Sequence, residues 1–173
     1  MTQPDSSPVA TQPSVAQGAN ANDEITALRL MVSWLAEQNT IIAFTTYQAG
    51  KVFFIGLNAR GELAVFNRNF ARVMGLAVHD QTLWIATLWQ LWRFENALLP
   101  GDKHGELDRY YVPQLAYTTG DIDVHDVGVD AKGEPIFVST LFSCFARPDA
   151  KYSFNQSGNR TLYPNTRRKI AVI

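Results

Sequence analysis

Asp121, Asp123 and His125 occupy alternate positions in the segment Asp121-Ile122-Asp123-Val124-His125-Asp126. In an extended chain every second side chain points to the same face. Two carboxylates and an imidazole sharing a face could bind a divalent metal ion, or act as a general acid and base. Asp126 adjoins them and completes the candidate ligand site. The plain alternative is that the aspartates close turns and the histidine satisfies backbone groups. A second pair, His79-Asp80, reads as a turn with Asp80 closing it. Trp89 and Phe142 fall at loop positions and are candidates for stacking against a ligand. The wider aromatic set of Trp84, Trp92, Phe94, Phe137 and Phe145 reads as core packed between sheets. Cys144 is the only cysteine. It lies in an apolar strand with no basic neighbour, which describes an inert buried thiol.

The elements around these residues are short strands. Gly75-Leu76-Ala77-Val78, Thr82 to Thr87 and Gln90 to Phe94 form one three-strand unit. Asp126 to Val129, Pro135 to Thr140 and Ser143 to Ala146 form a second. Ile41 to Thr46, Lys51 to Gly56 and Glu62 to Phe66 begin an earlier one, with Asn58-Ala59-Arg60-Gly61 as a turn signal. Tight connections favour antiparallel hairpins. Val52 to Ile55 and Leu83 to Ala86 are apolar at consecutive positions, so those strands must be covered on both faces. No helical stretch lies between the strands to do so. Stacked antiparallel sheets, as in a β-propeller, satisfy the requirement. Arg109-Tyr110-Tyr111-Val112-Pro113 reads as an outer edge strand, where proline is tolerated.

Before the strands, Ile25, Leu28, Met31, Val32 and Leu35 recur at helical spacing behind Asn22 or Asp23 as a cap, and end near Gln38-Asn39. Residues 1–23 lack Leu, Ile and aromatic side chains and read as a disordered segment. The domain expectation is therefore a disordered 1–23, a partial propeller over 24–154 and an atypical polar and basic tail over 155–173. Lys151, Arg160, Arg167, Arg168 and Lys169 make that tail basic. The net charge of −1 argues against a nucleic-acid binder. No apolar run approaches the roughly 20 residues that span a bilayer, and no secretory leader pattern is present. A cytoplasmic location is the expectation. Phosphate-binding glycine loops, nucleophile elbows and zinc ribbons are missing from the sequence.

Three separate stretches carry a family resemblance. They are Phe44-Thr45-Thr46-Tyr47-Gln48-Ala49-Gly50-Lys51, the run from Gly75 to Thr87, and Asp123-Val124-His125-Asp126. Together they resemble the uncharacterised bacterial family TIGR03032, also known as DUF4915, from about Trp34 to Phe154. The resemblance implies a propeller-type fold and brings no catalytic residue with it. The family pattern departs after Phe154, which suggests a truncation or a shifted reading frame near Asn155.

The expectation is thus an all-β, incomplete propeller of about three antiparallel blades with one short N-terminal helix. Its leading function is a binding or interaction scaffold, whose exposed blade edge would meet a protein partner or a second copy. A metal-dependent hydrolase or lactonase is the first alternative, with a divalent metal at Asp121, Asp123 and His125. A non-functional truncated fragment is the second.

Overall fold

The computed structural model describes residues 29–105 and 107–157. The expected disordered segment, the helix cap at Asn22 or Asp23, and the tail from residue 158 onward lie outside the described residues.

Helix α1 covers Arg29–Gln38. It ends where Asn39 turns left-handed at φ 44. The Asn39 amide donates to the Ala36 carbonyl at 3.3 Å and the Thr40 amide to the Leu35 carbonyl at 3.4 Å. Those bonds satisfy carbonyls that a helix end leaves unpaired, with asparagine in the place glycine usually takes.

Three antiparallel sheets follow in chain order. The first holds β1 (Ile42–Thr46), β2 (Lys51–Leu57) and β3 (Leu63–Asn69). The second holds β4 (Leu76–His79), β5 (Thr82–Ala86), β6 (Gln90–Asn96) and β7 (Tyr111–Thr118). The third holds β8 (Val124–Val129), β9 (Pro135–Ser139), β10 (Cys144–Arg147) and β11 (Asn155–Gln156). The described residues are therefore all-β with one helix and a partial, propeller-like architecture. Among the described residues no helix is long and apolar enough to cross a membrane.

Alternation along β5 divides the core. Leu83 and Ile85 join Val52 and Val73, with Phe54, Phe70, Trp92 and Phe94 packed around them. Trp84 and Ala86 point the other way and join Leu91, Ile122, Val127, Phe137 and Ala146. The second sheet is thus packed on both faces, which accounts for its consecutive apolar residues. Helix α1 contacts β2 and buries Leu35. On β2, Phe53 and Ile55 face away from the second sheet and are also buried. The helix therefore lies over the outer face of the first sheet. Trp84 Nε1 is buried without a hydrogen-bond partner, an arrangement that costs about 1–3 kcal/mol.

Several expectations change. Phe145 is 54% exposed, on the side of the third sheet opposite Phe137, and is not core. Phe142 is not a free stacking platform. Its ring lies 5.3 Å from Phe154 and packs onto the Trp84 cluster. Trp89 does remain on the surface, 52% exposed. The edge strand at Tyr111 runs on to Thr118 past Pro113, with a register shift opposite Arg93 and Phe94. The polar stretch expected to leave the fold at Asn155 instead adds a fourth strand. Arg147 pairs with Asn155 and Ala146 with Gln156. A ladder uses backbone groups, so an edge strand can be built from exposed polar residues.

The second and third sheets come into close contact at Gly75. A Cβ there would sit 2.7 Å from the Val127 backbone nitrogen and 2.8 Å from a Val127 methyl. At Gly128 the nearest atom to a Cβ is 4.0 Å away. Gly75→Ala is expected to destabilise the protein by about 1–3 kcal/mol through overpacking. Gly128→Ala is expected to change stability by no more than about 0.5 kcal/mol. Urea unfolding midpoints of the two variants check the contrast.

Candidate functional site

Asp123 is not extended. Its φ of 53 places it in the left-handed region, which aspartate tolerates better than most residues. The β8–β9 ladder is also irregular between Val124 and Asp126. Strand alternation consequently does not hold across the segment, and Asp121, Asp123 and His125 do not line a flat strand face as expected. They gather for another reason, around a cation absent from the sequence reading.

That cation is Arg72, in the link between the first and second sheets. Its guanidinium ion-pairs with the Asp123 carboxylate and lies 3.7 Å from Asp121 Oδ2. The Tyr47 ring is 5.7 Å from it, within cation–π range. Arg72 is itself left-handed, at φ 47. A residue held there costs about 1–3 kcal/mol unless its surroundings fix it. On the other side, Thr140 Oγ1 donates to Asp123 Oδ2 at 2.5 Å and the Thr140 amide donates to the Asp123 carbonyl at 3.0 Å. His125 Nδ1 lies 3.1 Å from Thr140 Oγ1 and 3.2 Å from the Asp123 carbonyl. The single hydroxyl proton of Thr140 is committed to the carboxylate. Nδ1 must then be a donor, and Nε2 has no partner among the described residues.

The hydrogen bond from Thr140 and the charges of His125 and Arg72 hold the Asp123 carboxyl below its ordinary range, against some desolvation. The arrangement ties three segments together: the link at Arg72, the link at 121–123 and the β9–β10 turn at Thr140. It also presents a half-exposed imidazole with a free nitrogen. The expected metal centre fares differently. The Asp123 carboxylate is occupied by Arg72 and Thr140. Among the described residues no three His, Cys, Asp or Glu side chains are placed to hold a metal ion. Asp126 stands apart, its Oδ1 accepting from the Val127 amide at 2.8 Å.

The remaining candidates fall where the residues suggested. Asp80 closes the β4–β5 turn at φ 51, with His79 Nδ1 3.4 Å from its carboxylate. The pair lies at the end of β4 remote from Arg72. Cys144 is buried, and desolvation raises its thiol pKa, as an inert thiol requires. Sequence reasoning missed Arg72, Thr140 and Tyr47. Arg72 and Asp123 are 51 residues apart, and no local pattern joins them.

A depressed Asp123 pKa has a definite sign in stability. The contribution is fully present above the ordinary aspartate value of 3.8 and is lost as pH falls through the lower folded value. Asp123→Asn is therefore expected to be less stable than wild type at neutral pH, with the difference shrinking as pH falls below 3.8. Asp130 and Asp149 are depressed in the same direction and remain in the variant. The difference between the two proteins in urea midpoint, measured from pH 7 downward, isolates Asp123.

No curated protein and no solved structure matches the chain. The family model for the domain of unknown function DUF4915 matches residues 29–159. That span takes in α1, all three sheets and every residue of the Arg72 cluster, and the chain belongs to the DUF4915 family.

Proposed function

We propose that the protein is an interaction scaffold, and that its contact surface is the open face of the third sheet. One observation carries this reading. Val127, Phe137 and Ala146 turn toward the second sheet and are buried. Ile136, Val138 and Phe145 turn away from it and line a depression of about 290 Å³ with Gly128 and Asp126. Phe145 and Leu141 are about half exposed. At the opposite end of the stack, α1 packs against β2 of the first sheet and buries Leu35. Among the described residues no element covers this face of the third sheet.

The occupant that fits is a second copy of this chain, docked through the same face. Head-to-tail stacking would place the third sheet where α1 already lies. A two-fold arrangement meets no such obstacle, and it closes after two copies instead of growing into a filament. The face is self-complementary, since each copy brings both a protruding Phe145 and the depression beside it. The hydrolase reading asks for a carboxylate set free to work, and Asp123 is held by Arg72 and Thr140.

A central aromatic anchor contributes about 2 kcal/mol or more to an interface, equivalent to about 30-fold in affinity. Sedimentation equilibrium is expected to show a dimer for wild type. Phe145→Asp is expected to be monomeric at the same concentration, with unchanged circular dichroism. A wild-type chain that stays monomeric as concentration rises would count against the proposal.

A further inference from the structure

Two charges on the open face of the third sheet already answer each other. Arg147, next to the buried Ala146, pairs with Asp130 at 3.2 Å and donates from Nε to Ser157 at 3.2 Å. Asp126 is different. It is exposed and shares the wall of the depression with Phe145, Val138 and Ile136. Its Oδ1 accepts from the Val127 amide at 2.8 Å, and its Oδ2 has no partner among the described residues.

The ionisable groups of the neighbouring elements are engaged elsewhere. Strands β9, β11 and β5 carry none. On β10, Cys144 is buried and Arg147 is paired. On β8, His125 is turned to Thr140 and Asp123. Asp121 and Asp123, in the link before β8, face Arg72. On β4, which packs against β8, His79 is the only such residue. It lies at the far end, at a cavity of about 370 Å³ that Lys132 and Glu134 of the β8–β9 turn also line.

We infer that Asp126 makes the dimer sensitive to pH, so that the two copies associate more tightly as this carboxyl takes up a proton. The inference rests on the two-fold contact proposed above. That symmetry brings two copies of Asp126 into one interface. Each carboxylate is open to water in the free chain and is covered by apolar side chains of the other copy in the dimer. Leaving water disfavours the charged form, and a buried charge without a partner is costly. The neutral acid escapes most of that cost. The dimer therefore holds protons more firmly than two separate chains, and association strengthens as pH falls from neutral.

Sedimentation equilibrium at pH 7 and pH 5, at one ionic strength, reads the dissociation constant. Asp123 keeps its charge at pH 5, and near-ultraviolet circular dichroism checks that the fold is unchanged. Wild type is expected to dimerise about tenfold or more tightly at pH 5. Asp126→Asn keeps an acceptor for the Val127 amide and removes the charge. It is expected to dimerise about tenfold or more tightly than wild type at pH 7, and to change less than about threefold between the two pH values. Phe145→Ser adds no charge and is expected to be monomeric at both. Equal wild-type affinity at the two pH values, or an Asp126→Asn dimer no tighter than wild type at pH 7, overturns the inference and leaves the dimer standing. Acid-strengthened association that survives Phe145→Ser places the proton effect on another surface and also overturns it. Wild type and Asp126→Asn that both stay monomeric at both pH values overturn the dimer reading, and this inference with it.

Discussion

The structure depends on β5 being apolar on both of its faces. A five-residue strand with Leu83 and Ile85 on one side and Trp84 and Ala86 on the other cannot be solvated on either. A sheet must therefore lie against each face. Once the first and third sheets take those places, the rest is constrained. The links between sheets must be short enough to turn the chain back. The innermost strands must approach closely, and Gly75 supplies the missing side chain where β4 meets β8. The outer faces of the stack are the only sheet surfaces without an obligatory partner. Helix α1 packs against one of them through Leu35.

The Arg72 cluster is best understood from this geometry. Its members come from the links that carry the chain from one sheet to the next, the start of β8, and the β1–β2 and β9–β10 turns. Arg72 and Asp123 are each left-handed, and each conformation is unfavourable for an isolated residue. Their ion pair, the Thr140 hydrogen bonds and the Tyr47 ring hold both in place at once. A partly exposed ion pair contributes little to stability by Coulomb attraction alone. Its weight lies in registering two links against one turn. The histidine beside it is oriented by the same bonds, through its Nδ1.

Much of the fold was legible in the sequence because it rests on local signals. Consecutive apolar residues in β2 and β5, the Asn58 to Gly61 turn and the His79-Asp80 turn each announce themselves within a few positions. The DUF4915 membership was legible on the same strands. The cluster was only half legible. Asp121, Asp123 and His125 stand together in sequence, and the structure does bring them together, but through a left-handed turn that alternation cannot anticipate. Arg72 was invisible because ion pairs across 51 residues leave no periodic trace. Phe145 misled because aromatic character reports how well a side chain packs, not whether a sheet stands opposite it. Asn155 and Gln156 misled in the other direction. Polar composition does not forbid a ladder when both side chains face solvent.

The two ends of β4 show why a closed cluster and an open cleft coexist within four residues of strand. Sheets carry a right-handed twist, so two packed sheets cannot stay equidistant along their whole length. Where β4 begins, Gly75 lets the β8 backbone come into contact, and the neighbouring links are drawn into the Arg72 cluster. Where β4 ends, the sheets have parted, and only the β8–β9 turn reaches back, at Gly133 against His79. The parting leaves a gap that apolar side chains of β4 and β5 do not fill. Trp84 sits at its edge, with its ring in the core and its indole N–H unpartnered. Closing one end with a glycine and a salt bridge thus leaves a polar cavity at the other. A tryptophan is what spans both environments, since its rings bury like any core side chain while its N–H still requires an acceptor.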